Sequence, residues 1–252
     1  MEKPYLIEIR IMGGIKQITR QLIYDVYNKF NVKGAVQHRP VPHISLFGPF
    51  RCRNINQVIN VMSTVGAAYS NLEYDVDGFD YFELKRKFLF FTTSSRKNVI
   101  YLKITPNEAL KDFRYRLAEN LLKITDASDM DHDSKEKFQF HVTLAMKDIH
   151  QKFDDIWNYL QKYSIKTKAI SYRITLLKTG RIVCEYDFVQ KRILNRREAL
   201  SRNGWQLTKK LLGNASQTEM GDDTQFYGCP HCGKDTEILH NKEYCSECEV
   251  FL

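Results

Sequence analysis

The stretch "PVPHISLFGPF", residues 40–50, reads as a short strand entered from prolines, yet it sets His43 and Ser45 among apolar neighbours. Side chains alternate across a strand, so His43, Ser45 and Phe47 share one face while Ile44 and Leu46 point into a core. The pattern returns 98 residues later in "FQFHVTLAMK", 138–147, where His141, Thr143, Ala145 and Lys147 share a face and Val142 and Leu144 oppose them. One His-x-Ser/Thr means little: seven histidines in a chain with about a tenth Ser and Thr yield about 0.7 matches by chance. That chance match is present as His132 and Ser134, among charges in "DMDHDSKEK", and reads as a loop. Requiring apolar residues between and after the pair leaves only 43–46 and 141–144. A single such strand reads as a structural histidine. Two of them in equivalent places read as a site.

Outward from the two strands, the flanking elements also repeat. "YLIEIRI" (5–11) alternates as a half-buried strand does, and "IKQITRQLIYDVYNKF" spaces Ile15, Ile18, Leu22, Val26 and Phe30 as a helix. After the first histidine strand, "NINQVINVMSTVGAAY" predicts a helix capped by Asn54 with Gln57 closing a capping box. Strands "EYDVDGFDYFEL" and "KFLFFTT" follow. The order then restarts with the strand "VIYLKIT" (99–105) and a helix whose start is expected at Thr105 as cap, Pro106 as first residue and Glu108 as box partner. After the second histidine strand come a helix through Phe153, Ile156, Trp157 and Leu160 and the strands "AISYRITLLKTG" and "RIVCEYDFV". First strands 94 residues apart and histidines 98 apart suggest a duplicated unit.

The chain has 252 residues, 43% hydrophobic and 12% aromatic, enough for a real core. No apolar run approaches the roughly 18 residues of a membrane helix, and the N-terminus lacks a secretory pattern. The expected location is the cytoplasm, with no membrane partner and reduced cysteines. A net charge of +8 and a pI of about 9.1 lean toward polyanions. Cys52 and Cys184 read as small buried hydrophobes.

Residues 191–212 carry seven Lys or Arg against Glu198 alone. They predict a basic helical extension that covers the sheet through Leu194, Leu200, Leu207 and Leu211, with Arg196 and Arg197 as candidate RNA contacts. Residues 213–225 read as a polar linker. In 226–252, Cys229-x-x-Cys232 and Cys245-x-x-Cys248 have the spacing of a four-thiolate zinc ribbon. A closed site of that kind supplies folding energy and leaves no open position for catalysis. Phe226 and Tyr227 precede the ribbon and could stack on a base or pack beneath it, and its partner is left open.

With both motifs in view, "HISLFGPF" and "HVTLAMK" resemble the 2H phosphoesterases, nearest to the 2′-5′ RNA ligase-like and RNA 2′,3′-cyclic phosphodiesterase group. The resemblance covers about residues 1–190, and "RITLLKTGRIVCEYDF" resembles the closing hairpin. It implies an α+β fold of two pseudo-symmetric lobes, antiparallel sheets framing a groove and helices outside. It also implies catalysis by His43 and His141 and phosphate binding by Ser45 and Thr143. Phe47 and Lys147 are further candidate substrate contacts, Lys147 if its strand continues. The pattern departs at Met146, where related phosphodiesterases often carry a basic residue.

The chemistry also stands on the residues alone. Opening a 2′,3′-cyclic phosphate needs one group to take a proton from water and another to give one to the leaving alkoxide. Histidine suits both roles near neutrality, and hydroxyls can donate to the phosphate oxygens. The scheme calls for no metal. The expected activity is a phosphodiesterase acting on RNA 2′,3′-cyclic phosphate or 2′-5′ linkages, or on a small nucleotide carrying either, with 2′-5′ ligation as the reverse. The alternative is a non-catalytic RNA adaptor using the motifs as a phosphate clamp. Which histidine is the base is left open.

Overall fold

The computed structural model describes residues 3–32, 41–88, 91–127 and 137–215, and three short strands, Glu237–Leu239, Lys242–Cys245 and Val250–Phe251. Over 84–88, 91–96, 214–215 and those three strands only the backbone is described. Numbered in chain order, β1 (Tyr5–Arg10), α1 (Gly13–Phe30), β2 (His43–Phe50) and α2 (Ile55–Gly66) come first. A long hairpin of β3 (Leu72–Phe88) and β4 (Phe91–Pro106) follows, then α3 (Glu108–Leu122), β5 (His141–Met146) and α4 (Phe153–Leu160). The core ends with β6 (Lys166–Ser171), β7 (Arg173–Lys178), β8 (Arg181–Asp187), β9 (Arg192–Asn195), α5 (Arg196–Leu200) and α6 (Arg202–Ala215).

β1 to β9 form two antiparallel sheets, one ordered β2-β1-β7-β8-β9 and the other β5-β4-β3-β6, and the three short C-terminal strands pair antiparallel in a third. The expected α+β architecture is therefore present, but the repeats are interlaced. β3 of the first repeat joins the second sheet, and β7 of the second repeat returns to the first. The helices exchange too: α1 lies against β5 and α4, while α3 lies against β2 and α2. One continuous core includes Ile7, Ile44 and Leu176 of the first sheet with Leu102, Val142 and Leu144 of the second. Between β6 and β7 stands Tyr172 alone, its carbonyl accepting the Phe188 N–H at 2.9 Å.

Several local expectations are corrected. "KFLFFTT" is divided between the end of β3 and the start of β4 rather than forming its own strand. α3 is capped by Asn107, whose side chain accepts the Leu110 N–H at 2.8 Å, not by Thr105. The β3–β4 ladder holds Thr105 and Pro106 against Asp75 and Tyr74, so helix cannot begin there. α2 has the expected Asn54 cap, which accepts the Asn56 N–H at 3.0 Å. Past 190 the chain first adds an edge strand, β9, and only then turns helical; α6 runs through Ala215, into the expected linker. Leu194 is buried, but Leu200, Leu207 and Leu211 are exposed. The inward face of this extension is Ala199, Trp205 and Thr208 instead.

Thr208 belongs to a buried ionic cluster centred on Arg173. The guanidinium donates to Asp187 at 2.8 Å, to Glu185 at 3.3 Å, and to the Gly204 carbonyl and Thr208 hydroxyl at 2.9 Å each. It also stacks on Trp205 at 3.8 Å, so α6 is fastened to the sheet by charge and hydrogen bonds rather than by a leucine stripe. Cys184 is buried, as expected, and its thiol is pushed up to about 11 by burial. Cys229, Cys232, Cys248 and the side chain of Cys245 lie outside the described residues, as do Phe226 and Tyr227.

Candidate active site between two edge strands

β2 and β5, the two histidine strands, are each the outermost strand of their sheet, and they lie side by side. Their local structure matches residue for residue, with the same burial sequence from His43 to Gly48 and from His141 to Met146. In β2, Glu8 pairs with Ser45 and Ile7 with Phe47, so Leu46 is an extra residue. In β5, Tyr101 pairs with Thr143 and Ile100 with Ala145, so Leu144 is extra. Each strand thus bulges three residues after its histidine. A bulge shifts the alternation by one and leaves backbone groups unpaired. The Leu46 carbonyl is met by the buried Arg114 of α3, whose Nε donates to it at 3.3 Å.

This shift corrects two site expectations. Phe47 does not share the histidine face: it is 1% exposed and packs against Phe50 with ring centroids 5.2 Å apart. Ala145 is buried for the same reason, and Met146 takes the partly exposed position. β5 ends at Met146, and Lys147 follows in a left-handed conformation (φ 70°), so it does not extend the strand face. Arg196 and Arg197 lie exposed on α5.

His43, Ser45, His141 and Thr143 are brought together, each partly exposed on its strand. The two histidines are close enough for the charge of His43 to lower the proton affinity of His141. Both rings are anchored alike: Nδ1 of His43 lies 2.9 Å from the Val41 carbonyl, and Nδ1 of His141 lies 2.9 Å from the Gln139 carbonyl. A carbonyl only accepts, so each Nδ1 carries a proton and each Nε2 is the atom that exchanges one. Among the described residues, neither Nε2 nor the Ser45 and Thr143 hydroxyls have a protein hydrogen-bond partner.

The neighbouring strands add residues that the sequence did not single out. Arg10 stands opposite His43 on β1, and Lys103 stands opposite His141 on β4, one cation beside each histidine. Opposite Ser45 is Glu8, 2% exposed, with one oxygen accepting from Arg10 Nε at 3.1 Å and the other 3.8 Å from His43 Nδ1. Burial pushes the Glu8 carboxyl above its usual range, while His43 and Arg10 pull it back. Opposite Thr143 is Tyr101, whose hydroxyl accepts from Gln139 at 2.5 Å and whose ring lies 5.2 Å from that of His141. Phe82 meets His141 edge-on at 4.9 Å. In this setting burial pushes His141 below the usual histidine value, against the pull of the Gln139 carbonyl. The alternation of "YLIEIRI" was the available signal, but it reads Glu8 and Arg10 as a solvent face.

No curated protein matches the chain. Among solved structures it is similar to Kluyveromyces marxianus Usb1, at 10% identity, over 77% of this chain and 98% of that one, with a TM-score of 0.43. It is also similar to Escherichia coli LigT complexed with 3′-AMP, at 11% identity, over 77% and 94% of the respective chains, with a TM-score of 0.39. Residues 15–182, which contain both histidine strands, match the 2′-5′ RNA ligase superfamily, and the chain belongs to that superfamily.

Proposed function

We propose that this protein is a phosphodiesterase that opens 2′,3′-cyclic phosphates or cleaves 2′-5′ linkages in RNA, using His43 and His141 as a paired acid and base. The observation that carries the reading is the matched pair of rings, each with Nδ1 committed to a backbone carbonyl and Nε2 without a partner among the described residues, on edge strands that face each other. One Nε2 takes a proton from the attacking water as its oxygen bonds to phosphorus. The P–O bond to the leaving oxygen breaks with its electron pair, and the second Nε2 protonates that oxygen. The Ser45 and Thr143 hydroxyls donate to the non-bridging oxygens, and Arg10 and Lys103 offset the phosphate charge. With a 5′-hydroxyl in place of water as the attacking group and the 3′-oxygen leaving, the same two rings would open the cyclic phosphate to a 2′-5′ bond. RNA is favoured over a free nucleotide by the net charge of +8 and by the superfamily itself. On the spacing of Cys229, Cys232, Cys245 and Cys248, we propose a structural zinc ribbon beyond this domain.

The test is turnover of a short RNA ending in a 2′,3′-cyclic phosphate, with and without EDTA, by the wild-type protein and its His43→Ala and His141→Ala variants. EDTA-resistant opening to a monophosphate is expected, reduced roughly 10²- to 10⁴-fold in each variant. Tight RNA binding without turnover of this or a 2′-5′-linked substrate would instead mark the twin motif as a phosphate clamp.

A further inference from the structure

The two halves of the site are matched in anchor, hydroxyl and bulge, but not across the strand pair. The position opposite Ser45 is an acid, Glu8, and the position opposite Thr143 is a phenol, Tyr101. Resting on the phosphodiesterase reading, we propose that Glu8 is a positioning residue that makes the two histidines unequal, holding His43 in its cationic form as the proton donor to the leaving oxygen and leaving His141 as the base that takes the proton from water.

Behind the His43 ring, itself 39% exposed, stands a buried carboxylate. Nδ1 donates to the Val41 carbonyl, and Glu8 Oε2 lies 3.8 Å from it, too far to accept that proton but near enough for its charge to favour a cationic ring. Glu8 cannot swing away, because its other oxygen is held by Arg10 at 3.1 Å and its side chain is buried. The charged groups that act on it are Arg10 on its own strand, His43 on β2 and Glu185 on β8, the last itself bonded to Arg173. Burial raises Glu8 toward the neutral acid and the two cations oppose this, so the carboxylate is sustained by the very ring it would charge.

Among the described residues, nothing comparable stands behind His141. Its Nδ1 faces the Gln139 carbonyl alone; Phe82 and Tyr101 enclose the ring, and Lys103 stands across the ladder. Burial and the nearby Asp80 hold the Tyr101 hydroxyl up, so it remains a neutral phenol and supplies no charge. Burial and the charge of His43 both disfavour a cation on His141. A cation at His43 therefore helps to keep the second ring neutral, and the site is poised with one proton on the donor and none on the base. After turnover the excess proton is on His141 and the vacancy on His43, and exchange through solvent resets the pair.

The experiment is the pH–rate profile of wild type, Glu8→Gln and Glu8→Asp on the cyclic-phosphate RNA, beside ¹⁵N NMR of the histidine rings. Glu8→Gln keeps the shape and the Arg10 acceptor but not the charge. Its kcat at neutral pH is expected to fall roughly 10- to 100-fold with KM within about twofold. Its alkaline limb should move down by about one pH unit, and Glu8→Asp should restore part of both. A merely structural role would lower kcat and leave that limb in place, which would overturn the proposal. In the wild-type protein, His43 is expected to take its second proton before His141 as the pH is lowered; the reverse order refutes the assignment even if the variants do not fold. Absent wild-type turnover would sink the phosphodiesterase reading alone, since the ring titration still reports on Glu8.

Discussion

Replacing Arg173 with methionine removes the centre of the buried cluster while keeping an unbranched side chain of similar length. Asp187 is fully buried and Glu185 is 5% exposed, so both carboxylates would lose their cation without gaining water. Breaking a buried pair from one side costs about 3–5 kcal/mol, and stacking on Trp205 adds to the loss. For a domain of this size, about 2–4 °C per kcal/mol converts this to a fall in Tm of about 6–20 °C. The deficit has a sign in pH. Burial holds the Glu185 carboxyl above its usual range even beside Arg173, and without Arg173 it rises further. A carboxyl raised in the folded state binds its proton more tightly there than in the unfolded chain. The deficit is therefore smallest below the unfolded value, about 4.3, and widens as the pH climbs through the folded one. Thermal unfolding followed by circular dichroism at pH 5 and pH 8 tests this, with Trp205 emission reporting release of α6. A Tm within about 2 °C of wild type at pH 8, or a wider gap at pH 5, would refute the reasoning.

Three further outcomes are expected. Because His141 is pushed below the usual histidine value, about 6.5, its neutral form outlasts that of an ordinary histidine as the pH falls. The acid limb of kcat should lie below that value, and a limb above it would count against His141 as the base. Lys103→Ala should weaken RNA binding and flatten its dependence on log salt by about one unit, while a mononucleotide loses less; an unchanged slope removes Lys103 from the interface. The same salt titration on Arg196→Ala and Arg197→Ala decides whether α5 joins that interface. Metal analysis of the full-length protein should find one zinc per chain, lost in Cys229→Ser/Cys232→Ser, with turnover of cyclic phosphate retained.

What could be read from the sequence was what depends on near neighbours. The period-two pattern placed His43 with Ser45 and His141 with Thr143, and the family resemblance carried by the two motifs implied the antiparallel sheets. It failed one residue later, because an inserted Leu46 or Leu144 leaves composition unchanged while turning Phe47 and Ala145 inward. It also missed Glu8, Arg10, Tyr101 and Lys103, whose place at the site is set by strand pairings 33 to 42 residues away in sequence. At α3 the expected Thr105 cap gave way to Asn107, because Thr105 and Pro106 are held in the ladder. In α6 the leucine spacing suggested a buried stripe, but Arg173 draws Trp205 and Thr208 inward and turns Leu207 and Leu211 to solvent.

The passage from β6 to β7 is the shortest a chain can make between two sheets. Tyr172 brings two soft dihedrals to it, with its carbonyl engaged by Phe188 and buried Ser171 and Arg173 on either side. The other crossing, from β2 to β3, is taken up by α2, which is packed into the shared core. With little slack in either tether and one core shared by the sheets, parting them like jaws would break apolar contacts on both sides, so the fold itself holds the histidine strands at their distance. A ligand meets an aperture already set, and none of its binding energy goes into closing one.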